Sequence, residues 1–164
     1  MSKPSQEQVV FDYTHYPNFN ANLAVDGVQF SPEVDTAAIN TDVEVFSFTI
    51  NPHNEASGFR KNEILWAYAN LDMQIETLGG GGTITWQWQA REIGAAAWIN
   101  LHTPVAEATG VAYVDRVRKG YINLQANLQN LPIQVRLIMQ CTVINDGRAH
   151  VRNTTFVRTL YRVV

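Results

Sequence analysis

The chain has 164 residues, of which 46% are apolar and only 16% charged, with a net charge of −3. A chain of this length buries enough surface to fold as one domain without a metal or disulfide. The composition excludes a disordered, highly charged polymer, and the acidic balance argues against a nucleic-acid partner, which calls for a basic excess. A surface so poor in charge is covered by uncharged polar groups or buried against neighbours. Residues 1–8 are polar and lack the apolar stretch of a secretory leader, so cytoplasmic synthesis without a signal peptide is expected. The best apolar run, 133–144, is interrupted by Gln134, Arg136 and Gln140, so no membrane partner is expected either. The single cysteine, Cys141, lies in that run and reads as a small buried hydrophobe.

Residues 1–22 read as an extended N-terminal arm. Polar residues there are mixed with Phe11, Tyr13, Tyr16 and Phe19 and interrupted by Pro17, a pattern that makes no core of its own but offers aromatic anchors to a neighbouring subunit. Residues 23–164 then read as one domain. From residue 43 the chain is strand after strand. Residues 43–50 place Phe46, Phe48 and Ile50 on one face, and Asn51-Pro52 punctuates. Residues 64–78 keep a period of two through Leu65, Ala67, Ala69, Leu71, Met73 and Ile75, predicting a strand bent near 70–72, although a helix would also accept much of it.

Gly79–Gly82 is a flexible connector without the Lys-Ser/Thr of a phosphate-binding loop. Residues 83–90 show the cleanest alternation, with Ile84, Trp86, Trp88 and Ala90 opposite Thr83, Thr85, Gln87 and Gln89: a half-buried antiparallel strand, pairing through a loose turn with 98–101. Residues 103–110 read as loop and 111–117 as strand. Arg116, Arg118 and Lys119 form a basic cluster in a solvated loop before Gly120, and 121–126 alternate again. After Pro132 come a strand over 133–144, a hairpin turn at Asn145-Asp146-Gly147 and a last strand over 151–163. The sum is an all-β chain, an antiparallel β-sandwich of jelly-roll type.

Chemistry-bearing patterns are sparse. The four histidines, His15, His53, His102 and His150, fall in separate segments without metal-ligand spacing, and His53-Asn54-Glu55 is too small a set to hold an ion. Asp72 and Glu76 share a strand face but read as solvating groups rather than an acid–base pair. No serine sits in a nucleophile motif. Neither enzymatic activity nor a cofactor is therefore expected. Trp86 and Trp88 read as core, whereas Trp98, beside Asn100, is the candidate for stacking on a sugar ring.

The stretch Thr83-Ile84-Thr85-Trp86-Gln87-Trp88-Gln89-Ala90 followed by Trp98-Ile99-Asn100-Leu101 resembles the W-x-W … W-x-x-L hairpins of β-sandwich proteins in virus particles. Tyr121-Ile122-Asn123-Leu124, Arg136-Leu137-Ile138-Met139 and Val157-Arg158-Thr159-Leu160-Tyr161 resemble the last strands of trimeric jelly rolls, found in tumour-necrosis-factor-like modules, phage head decoration proteins and receptor-binding tips. The resemblance covers residues 43–164 and brings no shared site residues with it. It implies a non-enzymatic structural protein of the virion, made in the host cytoplasm, that decorates or cements a capsid or forms part of a spike or tail. The implied partners are further copies of itself, as a homotrimer, and the major capsid or other virion proteins. The aromatic arm departs from cytokine-like modules and fits a protein clamped to a shell. The alternative is a carbohydrate-binding or host-adhesion module with a glycan partner.

Overall fold

Alternating apolar and polar residues, rich in Val, Ile, Thr and aromatics, favour pleated strands with one buried face. The computed structural model describes residues 10–16, 22–23, 29–30, 34–35, 41–51, 62–77, 82–141 and 147–163, and they are built of strands: β1 (Val10–His15), β2 (Asn22–Leu23), β3 (Gln29–Phe30), β4 (Val34–Asp35), β5 (Val43–Ile50), β6 (Asn62–Thr77), β7 (Thr83–Glu92), β8 (Ile99–Asn100), β9 (Val105–Ala108), β10 (Val114–Ile122), β11 (Ile133–Cys141), β12 (Gly147–Val151) and β13 (Phe156–Val163). No α-helix occurs among the described residues; one 3-10 turn, Ala126–Leu128, precedes β11.

The pairing is nested. β1 pairs with β13, β5 with β11, β6 with β10 and β7 with β9, every pair antiparallel. The first long strand thus meets the last, and each successive strand meets its mirror position in the chain, which is how a jelly roll winds two Greek keys. One sheet runs β1-β13-β6-β10, with β12 and β4 continuing beside the far half of β6. The other runs β5-β11-β7-β9, with β8 beside the far half of β7. The sheets pack face to face. Ala67, Ala69, Leu71, Met73 and Ile75 of β6 oppose Ile133, Val135, Leu137 and Met139 of β11 in one core cluster, joined by Ile50, Ile84, Trp88, Val151 and Val157. Each large aliphatic buried there contributes on the order of 1.5–3 kcal/mol.

Several expectations are met and others corrected. The stretch 64–77 is a strand, continuous through 70–72 and paired there with β10 in unbroken register, so no bend interrupts it; the break falls in the strands beside it. Val151 of β12 faces Met73 and Phe156 of β13 faces Asn70, so four residues, Arg152 to Thr155, stand opposite two. Asp72 holds this bulge: Arg152 Nη1 lies 2.7 Å and Thr154 Oγ1 2.6 Å from its carboxylate, and its backbone N–H donates to Thr155 Oγ1 at 3.0 Å. The expected last strand over 151–163 is therefore two strands.

The strands on either side of the hairpin expected at 145–147 do not pair, because β11 and β12 belong to different sheets; Asn145 and Asp146 themselves lie outside the described residues. Residues 103–110 contain β9 rather than loop alone, and 114–122 form one strand running straight through Gly120. Glycine reads as a break, but Gly120 pairs with Ala69 within a continuous ladder. Of the expected arm, residues 10–15 are β1, spent on the chain's own β13. Phe19, His53 and residues 79–81 lie outside the described residues.

Candidate functional site

A sandwich must be closed at both edges between its sheets. At the β9/β10 edge the closure is ionic. Glu107 of β9, 4% exposed, points inward, where Arg118 of β10 grips it in a fork at 2.5 and 2.6 Å. Arg116 Nε stands 3.7 Å from the same carboxylate, and Trp86 donates its indole N–H to it at 3.3 Å. The basic cluster is thus on a strand, not in a solvated loop. Two of its three cations face a buried acid, an alternation that the intervening Val117 concealed.

Beside this ion pair the sheets leave a cavity of about 330 Å³. It arises because Ala69 and Gly120, directly paired on β6 and β10, give no bulk where the opposite sheet presents Trp86 and Trp88. A Cβ placed on Gly120 would meet no atom within 4 Å. The far wall is made by the strap from Leu101 to Val105. That strap is fixed by a gap in β7's pairing: β9 covers residues 83–86 and β8 covers 89–90, leaving Gln87 and Trp88 without a strand partner on that side. His102 fills the gap. Trp88 donates its backbone N–H to His102 Nε2 at 2.9 Å, and His102 Nδ1 donates to the Thr103 carbonyl at 2.6 Å. These bonds fix the neutral ring protonated on Nδ1. The ring also meets Trp86 edge-on, with centroids 5.4 Å apart. Gln87 Nε2 donates to the His102 carbonyl, and Gln89 Nε2 to Asn100 Oδ1 at 2.7 Å, holding the strap on the outer face of β7.

At the opposite edge, where β1 and β13 meet β5, the described contact is an aromatic stack. His15 of β1 stacks on Phe48 of β5 with centroids 4.7 Å apart, and the Thr159 hydroxyl of β13 stands 3.4 Å from its Nε2. Burial lowers the His15 pKa from 6.5 to about 4, since a cation is poorly solvated there.

Of the arm aromatics, Phe11 and Tyr13 hold backbone positions in β1 opposite Tyr161 and Thr159. Tyr16 is 64% exposed beside Phe156, with ring centroids 6.3 Å apart. Trp98 is half-buried, and the guanidinium groups of Arg91 and Arg136 lie 4.2 and 4.1 Å from its ring centroid. Its π-system is thus engaged by two cations of its own chain. Trp88 is core, while Trp86 is only partly buried at the cavity. The surface aromatics that sequence reading missed are Tyr121, 68% exposed, and its half-buried, edge-on neighbours Tyr68 and Trp66 at 5.4 and 5.8 Å. Their signal was the pairing of 121 with 68, visible only once β10 is known to be one strand. Asp72 and Glu76 do not work together: Asp72 is tied to Arg152, and Glu76 lies 4.0 Å from Arg148. His15, His102 and His150 serve three separate places; His150 stacks on Tyr113 at 4.5 Å.

No family model matches the chain, and no curated protein matches it. Among solved structures, it superposes on a chain from the structure of infectious bursal disease virus, Gx strain, with a TM-score of 0.51 at 11% identity, covering 95% of this chain and 32% of that one. A chain of the infectious bursal disease virus VP2 subviral particle gives 0.48 at 10% identity over 96% and 37% of the two chains. Dimeric latent PorU from Porphyromonas gingivalis gives 0.43 at 9% identity over 95% and 13%. The chain therefore spans about a third of the length of the viral chains it overlays, and at such identities the likeness is one of fold. At that level it meets the resemblance to jelly-roll proteins of virus particles read from the sequence.

Proposed function

We propose that the chain is a structural protein of a virus particle, with no enzymatic activity. The observation that carries this reading is the superposition of 95% of the chain on part of a chain from a virus structure, in the nested pairing of a jelly roll. A fold closed by a dry core, a buried ion pair and an aromatic stack suits a part whose task is mechanical. The working surfaces are then the outer faces and the N-terminal segment.

The chain assembles as a homotrimer that decorates or cements the capsid or sits in a spike or tail, and the N-terminal segment makes the subunit contacts. Tyr16, exposed just beyond β1, supports this, because it opens the stretch that continues to Phe19 from the rim of the sheet. Because residues 10–15 pair with β13, the contacts proposed for the N-terminal segment fall to its remaining residues. Well-seated aromatic anchors each contribute on the order of 2 kcal/mol, multiplied by the valency of a trimer. The alternative remains a glycan-binding module stacking a sugar on Trp98; that Arg91 and Arg136 already lie against this ring supports the structural reading over it.

The test is fractionation of particles from the producing culture on a density gradient, with the chain followed by antibody. It should band with particles, and a chain lacking residues 1–9 and carrying Tyr16→Ser should fold but stay in the soluble fraction. A chain absent from the particle band would overturn the reading.

A further inference from the structure

We propose that the cavity beside the Glu107–Arg118 pair is a binding site for a small organic anion with a flat apolar body, of which an aromatic carboxylate is the simplest case. This goes beyond the structural role and does not depend on it. The volume of about 330 Å³ suits a one- or two-ring ligand and falls at the lower end of ligand pockets. Its space is built into the ladder rather than left by loose packing, because Ala69 and Gly120 face each other in register and Gly120 has room for a side chain it does not carry.

The lining selects the ligand. Trp86, Trp88, Leu101 and Val105 give an apolar floor and wall. His102 lines it too, but both ring nitrogens are spent on Trp88 and Thr103. Thr103, Tyr121 and Asn123 add polar lining, so it is the facing indoles that select a flat apolar body. The charge is one-sided: Arg118 and Lys119 line the cavity and no carboxylate does. Glu107 stands behind, already held by Arg118 and Arg116. Lys119 has no ion-pair partner among the described residues. Lys119 alternates with Arg118 and Gly120 along β10 and so lines the cavity from its rim, where the anionic end of a ligand meets it while the ring meets indole.

The experiment is titration of the full ¹⁵N-labelled chain with 2-naphthoate, and separately with uncharged 2-naphthalenemethanol, followed by backbone amide and indole N–H resonances. Naphthoate should shift the Trp86 indole and Gly120 amide saturably while leaving the Trp98 indole in place. It should bind at least about threefold tighter than the alcohol, the scale of an exposed charge contact. Lys119→Gln should remove most of that margin, and Gly120→Leu, filling the space, should weaken naphthoate by about tenfold or more. If Gly120→Leu does not fold, nuclear Overhauser contacts from naphthoate to Gly120 and Trp86 in the natural chain decide instead. No saturable shift up to about 10 mM, absence of those contacts, or undiminished binding by a folded Gly120→Leu chain would overturn the site. Equal affinity for the alcohol would overturn its anion preference.

Discussion

The two edges of this sandwich solve one problem by opposite means. Where β1 and β13 meet β5, a neutral histidine stacks on a phenylalanine; where β9 meets β10, a buried carboxylate is clamped by two arginines and an indole. The stack fills its edge and leaves its histidine poorly able to take a proton. The ionic clamp needs geometry more than bulk, and beside it the sheets stand open. Among the described residues, the cavity of about 330 Å³ lies beside the edge closed by charge.

The comparison can be broken most severely at Trp88, which supports the ionic edge from the core and meets Phe46 edge-on at 5.6 Å. Trp88→Ala should cost about 3–5 kcal/mol in urea unfolding. Glu107→Ala, which strands Arg118 and the Trp86 indole, should cost about 2–3 kcal/mol. Glu107→Gln, keeping an acceptor, should cost less. If Glu107→Ala unfolds at the same urea concentration as the natural chain, the clamp does not close that edge.

A third test sharpens the contrast through pH. The His15 pKa is about 4 in the folded chain against 6.5 unfolded. Between these values the unfolded chain binds more protons, so stability falls as pH drops from about 6.5 towards 4 and the His15 contribution levels off below that. A His15→Gln chain should lose less stability than the natural one over that window; parallel curves would show that His15 does not titrate there. The smallest effect is expected at His102. His102→Ala leaves the Trp88 N–H without its acceptor and should cost about 1–2 kcal/mol, loosening the strap enough to speed amide exchange at residues 101–104.

What sequence alone made legible follows from the range of the interactions. The alternation of 83–90 and 43–50 is local, and it named the strands, the buried faces and Trp88 as core. The bend expected at Asn70-Leu71-Asp72 does not occur in β6; the break lies at 152–155 in the strands beside it, which local sequence around Asp72 does not encode. The rest depends on contacts distant in the chain. Glu107 sits in Val105-Ala106-Glu107-Ala108, weak as a strand signal, and becomes a strand by pairing with Thr83–Trp86 of β7, with Arg118 gripping Glu107 from the other sheet. Gly120 reads as a break until its partner Ala69 is known, and with it goes the cavity. Asn145-Asp146-Gly147 carries the residues of a hairpin, but turn chemistry does not say which sheet the next strand joins. Trp98 gave no sign that Arg91 and Arg136 lie against its ring, since Arg136 is brought there by a non-local pairing.

The proposed self-association is read most simply from the molar mass in solution. Light scattering on the purified chain should give three times the 18.4 kDa chain mass, falling to a single chain when residues 1–9 are removed and Tyr16 is replaced by serine. A folded chain that runs as a monomer at every concentration, with or without those changes, would contradict it.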